Sequence, residues 1–530
     1  MESPLLAVNK LCIEVAKKVL VEEISFALFP GKCLAIVGES GSGKTLSCLT
    51  LLQLNPTSFS YPSGSISMDG DWAPTSPAIR EWRGKRIGMI FQEPMSALNP
   101  TMRVGEQITE ALELHMGMSS AQARKRAIEL FKEVQIPSPE QAIDKYPHEM
   151  SGGQRQRVMI AMAIACEPEI LLADEPTTAL DVSVQQAVLD LLRSIQLKRQ
   201  MAMVFVSHDL AVVQSVADDI IVMQKGKVVE QGSAKQIIAH PKEAYTQGLL
   251  NCRPHHKSPL YYLPTLQNPD PHIPRPKSNF GDSLIQVRDL TKRYGDFTAV
   301  SEVSFDIFQG ETLGLIGESG CGKSTLSRML MGLIPITSGA VNWKGQPWFS
   351  DQINLKKQDR KRVQMVFQDP FSSLNPKITI GDQLMEPMRI HGIGTDTKDR
   401  WKRAVQWMEK VGMPDPEQSL HKYPHAFSGG QRQRIVIARA LAAEPACIVC
   451  DESVAALDVS VQAQVLNLLN QLKAELGLTF LFISHDLHVV RYMCDRVMIM
   501  QKGKIVEEGI TEQVFEQPQH PYSQSLLSKQ

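Results

Sequence analysis

The chain is written twice. SGGQRQR occupies 151–157 and returns at 428–434. Residues 5–45 align without a gap to 284–324, so EISFALFPGKCLAIVGESGSGKT faces EVSFDIFQGETLGLIGESGCGKS. Further on, MIFQEPMSALNP faces MVFQDPFSSLNP, and KYPHEMSGGQRQR faces KYPHAFSGGQRQR, with the offset always between 276 and 279. Solenoid repeats have periods of roughly 20–50 residues, so this is a duplicated domain. A chain of 530 residues can give each copy its own core. The seam is expected at 252–283, between domains 1–251 and 284–530. Seven prolines from Pro254 to Pro276 stiffen it toward polyproline geometry. At about 3.1 Å per residue such a linker reaches up to roughly 100 Å, which lets the halves dock face to face. The alternative is a tail folded onto its own domain.

Within each half, apolar strand-like runs (CLAIVG, EILLAD, AMVFVSHD) alternate with helical patterns such as EQITEALELHM. That alternation is the mark of an α/β fold with a mostly parallel central sheet. Residues 93–150 and 369–427 read as mainly helical.

Each copy carries a phosphate loop of the pattern G-x-x-x-x-G-K-[ST]. The first is Gly38, Glu39, Ser40, Gly41, Ser42, Gly43, Lys44 and Thr45; the second is Gly317, Glu318, Ser319, Gly320, Cys321, Gly322, Lys323 and Ser324. Glycines let backbone N–H groups turn onto phosphate oxygens at a helix N-terminus. Lys44 and Lys323 are placed to reach the β and γ phosphates, and Thr45 and Ser324 to hold Mg²⁺. Each loop follows an apolar strand and precedes a helical pattern, as the motif requires.

A second anchor is an apolar strand ending in acids, ILLADE at 170–175 and CIVCDE at 447–452. Asp174 and Asp451 are candidate Mg²⁺ ligands. Glu175 and Glu452 stand where a carboxylate can take a proton from an attacking water. Gln92 and Gln368 follow MIF and MVF, and are candidate catalytic and metal-binding residues. His208 and His485 follow VFVS and LFIS in a recurring S-H-D-L, and are candidate γ-phosphate contacts.

The bulk numbers remove other classes. Net charge is −1, so no basic field argues for nucleic acid. No uncharged apolar run approaches the roughly 18 residues of a membrane helix, and MESPLLAVNKLCIEV lacks the pattern of a signal peptide. Nine scattered cysteines suit a reducing compartment better than a disulfide framework. Cys447 and Cys450 lie in a strand-like run and are expected to be buried there rather than to bind zinc. The reading is a cytosolic chain; if it acts at a membrane, other subunits supply the spans.

These motifs together, with ADEPTTALD and CDESVAALD, resemble the nucleotide-binding domains of ABC transporters over nearly the whole chain outside the linker. FQEPMSALNP, FQDPFSSLNP, KYPHEMSGGQ and the tails HPKEAYTQGLL and QHPYSQSLL resemble the ATPases of dipeptide, oligopeptide and nickel importers. The chain looks like the fused tandem form that serves microcin C-type peptide and glutathione importers. The resemblance implies two P-loop domains, each with a mostly parallel sheet core, a helical subdomain and an antiparallel β part. It implies ATP and Mg²⁺ as cofactors and ATP hydrolysis as the activity. SGGQ is that family's signature loop, which binds the ATP held by the opposite domain. By that carry-over Ser151, Gly152, Gly153 and Gln154 complete the site of Lys323, and Ser428, Gly429, Gly430 and Gln431 complete the site of Lys44. Asp181 and Asp458 resemble the family's loop between the sites. The implied partners are two integral-membrane permease subunits and, through them, a solute-binding protein, with no nucleic acid. The implied location is the cytoplasmic face of the inner membrane.

Three departures are visible. Tyr294 matches the aromatic that stacks on adenine, whereas the first half has Val15. Ser453 stands where the first half has Pro176. Cys321 sits inside a phosphate loop at a helix start, a position that can favour the thiolate. Some relatives carry cysteines for an iron–sulfur cluster near the domain end; only Cys252 lies there, so none is expected. The rival readings are a tandem translation factor and a DNA-repair or chromosome ATPase. The Pro-rich linker argues against the first, and the lack of an inserted zinc module or coiled coil against the second.

Overall fold

The computed structural model describes residues 3–68, 70–177, 182–254, 262–266, 268, 280–455 and 457–528. The chain divides into two compact units, Met1–Asn251 and Cys252–Gln530.

The first unit is built on a six-stranded sheet. Its order is Lys227–Ser233, Asp219–Gln224, Cys33–Val37, Ala202–Ser207, Ile170–Asp174, Ile87–Ile90. All neighbours are parallel except the first pair. The inner strands CLAIV, ILLAD and AMVFVS are buried at every position, as strands covered on both faces must be. Over this lies a second sheet in which Leu6–Val15 pairs antiparallel with Lys18–Leu28, Phe59–Ser60 and Ser65–Ser67. Its inward residues Leu6, Val8, Leu11, Val21 and Ile24 share one apolar cluster with Ile36, Val204 and Leu172 of the parallel sheet. The helix Lys44–Thr50 contributes Cys48 to the same cluster.

The second unit repeats this plan. Its parallel sheet runs Val363–Val366, Cys447–Asp451, Thr479–Ile483, Thr312–Ile316, Arg496–Gln501, with Lys504–Ile510 antiparallel at the edge. Ser283–Tyr294, Phe297–Phe308, Ser338–Trp343 and Gln346–Ser350 form the antiparallel sheet. Cys447 and Cys450 are buried strand residues, and burial pushes the Cys450 thiol up to about 12.

The stretches 93–150 and 369–427 are helical. Val104–Met116 and Ser120–Glu133 pair in the first unit, Ile380–His391 and Thr397–Lys410 in the second. The repeated heptapeptide opens the next helix in each unit, Gly152–Ala163 and Gly429–Leu441. Ser151 caps its helix by accepting the Gln154 N–H (3.3 Å), while Gln154 Oε1 accepts the Ser151 N–H (3.1 Å). Ser428 and Gln431 repeat this at 3.4 and 3.0 Å. Such reciprocal caps satisfy two orphan donors of the first turn. The second glutamine, Gln156 or Gln433, is buried. The last arginine ties the helix to its neighbour, with Arg157 donating to Val134 O and Arg434 to Val411 O, both at 2.8 Å. The first arginine is engaged too, Arg432 donating to Pro424 O (2.9 Å) and stacking on Phe371, Arg155 donating to Met95 Sδ. Every polar residue of the heptapeptide therefore has a packing role; the glycines leave the turn open.

Of the Pro-rich seam, Leu263 is buried in the apolar cluster of the second unit. Its N–H donates to Asn467 Oδ1 (2.7 Å) and its carbonyl accepts from Asn467 Nδ2 (2.9 Å). Among the described residues, no helix is long and apolar enough to cross a membrane.

Candidate functional site

Sheet order places the candidate residues in a row. In the first unit the strands ending in the phosphate loop, His208, Glu175 and Gln92 are consecutive neighbours. All four run parallel, so these residues emerge together at the carboxyl edge, where open α/β sheets bind ligands. The second unit aligns its loop, His485, Glu452 and Gln368 in the same way.

The row is hydrogen-bonded. Gln92 Nε2 donates to Glu175 Oε2 (3.0 Å), and His208 Nδ1 lies 3.3 Å from the same oxygen. Gln368 Nε2 donates to Glu452 Oε2 (2.6 Å), and His485 Nδ1 lies 3.4 Å from Glu452 Oε1. Burial works against a charge on His485, but the Glu452 carboxylate overrides it and holds the imidazole above its ordinary value. Glu175 and Glu452 have φ of 45° and 48°, the left-handed region. Their N–H groups donate to Val206 O (3.0 Å) and Ile483 O (2.9 Å), holding that conformation. A non-glycine residue there is strained by roughly 1–3 kcal/mol and persists only where its surroundings enforce it.

Both phosphate loops take the geometry their glycines permit. Gly38 and Gly317 have φ of 153° and 156°, and a Cβ there would lie 2.2 and 2.3 Å from the carbonyls of Met223 and Met500. Lys44 Nζ donates to the carbonyls of Gly38 (2.7 Å) and Glu39 (2.9 Å); Lys323 Nζ donates to those of Gly317 (2.6 Å) and Glu318 (3.0 Å). Thr45 Oγ1 donates to Asp174 Oδ1 (3.0 Å). Burial raises the Asp174 carboxyl to about 6, with Thr45 opposing. Asp451 is raised by burial as well, beside Glu452, and Arg328 and Lys323 oppose the shift. In the first unit a buried carboxylate beside a loop hydroxyl is the donor set a hard divalent cation uses, and the residues fit Mg²⁺. In the second the hydroxyl bonded to the half-buried Asp451 is that of Ser327, one turn beyond Ser324.

The signature turns are placed as helix starts, with Ser151 and Ser428 exposed. Asp458 is the N-cap residue of Val459–Leu476; Asp181 lies outside the described residues. Tyr294 is 52% exposed at its strand end, with Lys292 Nζ 5.0 Å from the ring centroid. Tyr294 pairs with Phe297 as Val15 pairs with Lys18, so the two are structural equivalents. Ser453 is buried.

Cys321 corrects the sequence reading. The thiol is buried, and burial raises its pKa, outweighing the lowering by Lys323. The helix start does not favour the thiolate here because desolvation is the larger effect.

Sequence reasoning missed two residues. The Glu39 N–H donates to Tyr245 Oη (3.2 Å), and the Glu318 N–H to Tyr522 Oη (3.1 Å). Their signal was available: Tyr245 and Tyr522 lie in the repeated tails at the same 277-residue offset as the signature.

Comparison with known proteins finds the same family in both halves. The family model described as ABC transporter matches residues 21–178 and 300–455. The model described as oligopeptide/dipeptide transporter, C-terminal region, matches 229–279 and 506–529. The glutathione import ATP-binding protein GsiA of Pectobacterium atrosepticum is 41% identical over 96% of this chain and 86% of its own. The peptidoglycan transport ATP-binding protein YejF of Agrobacterium fabrum is 42% identical over 99% of this chain and 96% of its own. GsiA of Salmonella typhimurium is 43% identical, at 96% and 86% coverage. A solved chain, cbiO1 of the Clostridium perfringens cbiONQ transporter complex, overlays 44% of this chain and 92% of its own, at 26% identity and a TM-score of 0.40. The chain belongs to the ATP-binding subunits of ABC transporters, as two ATP-hydrolysing cassettes in tandem, each carrying the C-terminal region of the oligopeptide/dipeptide branch.

Proposed function

We propose that the chain is the paired ATPase of an importer for peptides or peptide-like solutes, working through separate membrane subunits. One observation carries this: the oligopeptide/dipeptide region follows the ATPase region in both halves, at 229–279 and 506–529. Glutathione and peptidoglycan, the solutes in the relatives' names, together with the microcin C-type peptides implied by the sequence resemblance, define the solute class.

In this reading each phosphate loop holds ATP through its backbone amides and Lys44 or Lys323. Thr45, Asp174 and Gln92, or Ser324, Asp451 and Gln368, hold Mg²⁺, which supplies charge neutralisation for the phosphates. Glu175 and Glu452 accept a proton from the attacking water; their Gln and His neighbours fix the carboxylate. The turns Ser151–Gln154 and Ser428–Gln431 close the site of the other half, so that ATP holds the halves together and hydrolysis releases them. That two-state contact drives two integral-membrane permease subunits, fed by a solute-binding protein, from the cytoplasmic face of the inner membrane. Domain limits of 1–251 and 284–530, joined by 252–283, belong to the same proposal.

The test is purification of the tagged chain from its native membrane in mild detergent. Two integral-membrane proteins should co-purify, and the reconstituted complex should take up a labelled oligopeptide or glutathione only with ATP. Recovery with ribosomes or DNA and no membrane protein overturns the reading in favour of a soluble tandem ATPase.

A further inference from the structure

Each phosphate loop has a polar contact from the far end of its own unit. Tyr245 accepts the Glu39 N–H, and its hydroxyl lies 3.5 Å from Glu39 Oε2. Tyr522 accepts the Glu318 N–H in the second unit. The tyrosines stand early in the short helices Ala244–Asn251 and Pro521–Leu527.

Those helices are held in place. Glu230, on the edge strand, accepts the N–H groups of Lys242 (2.9 Å) and Glu243 (3.3 Å). Glu507 does the same for Gln519 (2.8 Å) and His520 (3.0 Å). The edge strand pairs with the strand whose last residues include Met223 or Met500, and the carbonyl of that methionine is what bars a side chain at Gly38 or Gly317. The tyrosine and the loop thus rest on the same strand pair.

Glu39 is gripped on both sides. Its N–H goes to Tyr245 and its carbonyl accepts Lys44 Nζ; Glu318 is gripped alike by Tyr522 and Lys323. This residue opens the run of amides that must converge on phosphate. Freeing its N–H lets the first peptide of the loop rotate and misdirects the amides after it.

We propose that Tyr245 and Tyr522 are positioning residues for the phosphate loops, through which the C-terminal region of each cassette sets its nucleotide affinity. This rests on the loops being the nucleotide sites. Both copies make the contact although the residue before the tyrosine differs, Ala244 in one and Pro521 in the other.

The test uses the full chain, a fluorescent ATP analogue and steady-state ATPase. Tyr245→Phe and Tyr522→Phe keep the ring and remove the hydroxyl. One hydrogen bond of this kind corresponds to about a 2- to 10-fold rise in nucleotide Kd and KM, with kcat within about twofold of wild type. Glu39→Pro removes the donor instead, and Tyr245→Phe should then have no further effect on Kd. A Kd unchanged in both Phe variants overturns the proposal, whatever happens to thermal stability; so does an additive effect in the Glu39→Pro background. If Lys44→Ala and Lys323→Ala together leave binding at the wild-type level, the nucleotide-site reading itself fails.

Discussion

Gln368 donates its amide to the carboxylate of Glu452 at 2.6 Å, and Gln92 repeats the contact with Glu175. The proposed base therefore has its orientation fixed by a neighbour on the adjacent strand. Removing the carboxylates while keeping their shape, in the double variant Glu175→Gln and Glu452→Gln, should lower ATPase by about 100-fold or more and leave ATP binding intact. Rapid-quench hydrolysis and equilibrium binding measure the two separately. Loss of binding in step with hydrolysis would falsify the assignment.

The two sites should differ in affinity. Tyr294 presents an exposed ring where the first unit has Val15. Base stacking contributes about 1–3 kcal/mol in other settings, so the site of Lys323 should bind ATP about 5- to 150-fold more tightly than the site of Lys44. Comparing Lys44→Ala with Lys323→Ala isolates each site, and Tyr294→Val should bring them together. Equal affinities in the single variants count against it.

Glu311 gives the second unit a pH-dependent stability. It is fully buried against Arg496 at 3.1 Å, and burial raises its carboxyl to about 7, with Arg496 opposing. A carboxyl raised in the folded state contributes stability below its unfolded value of about 4.5 that is lost as pH rises toward 7. The unfolding free energy of the wild type in urea should therefore fall relative to Glu311→Gln between about pH 4.5 and 7, by on the order of 3 kcal/mol in all, then run parallel. A gap independent of pH over that range contradicts the assignment.

Cys321 should react slowly with maleimide at neutral pH, since its thiol is buried and its pKa raised. Ser42 fills the matching place, so Cys321→Ser should keep ATPase within about twofold. Rapid labelling that ATP prevents would show instead that the loop opens to expose the thiol.

The row of loop, His, Glu and Gln was legible because each residue ends its own apolar run, and runs that read as parallel strands must deliver their ends to one edge. The tyrosines were not legible as partners of the loop, because nothing local joins residues about 200 positions apart. Ser151 was legible as a hydroxyl at a helix start, and its spacing to Gln154, S-x-x-Q ahead of an apolar run, spells the reciprocal cap as well, a signal the anion-site reading passed over. Cys321 misled for a related reason: helix position is local, whereas burial depends on strands brought together from the whole domain.

Charge is inverted between the copies at two matched positions, Lys32 for Glu311 and Asp219 for Arg496. Where the second unit sets Glu311 against Arg496, the first sets Lys32 against Asp218, with Asp219 occupying the Arg496 position. Duplicated genes invite crossing-over between their halves. A hybrid that took only one of the two strands would bring like charges together, Glu311 against Asp219 or Lys32 against Arg496. The inversion penalises piecemeal exchange between the copies.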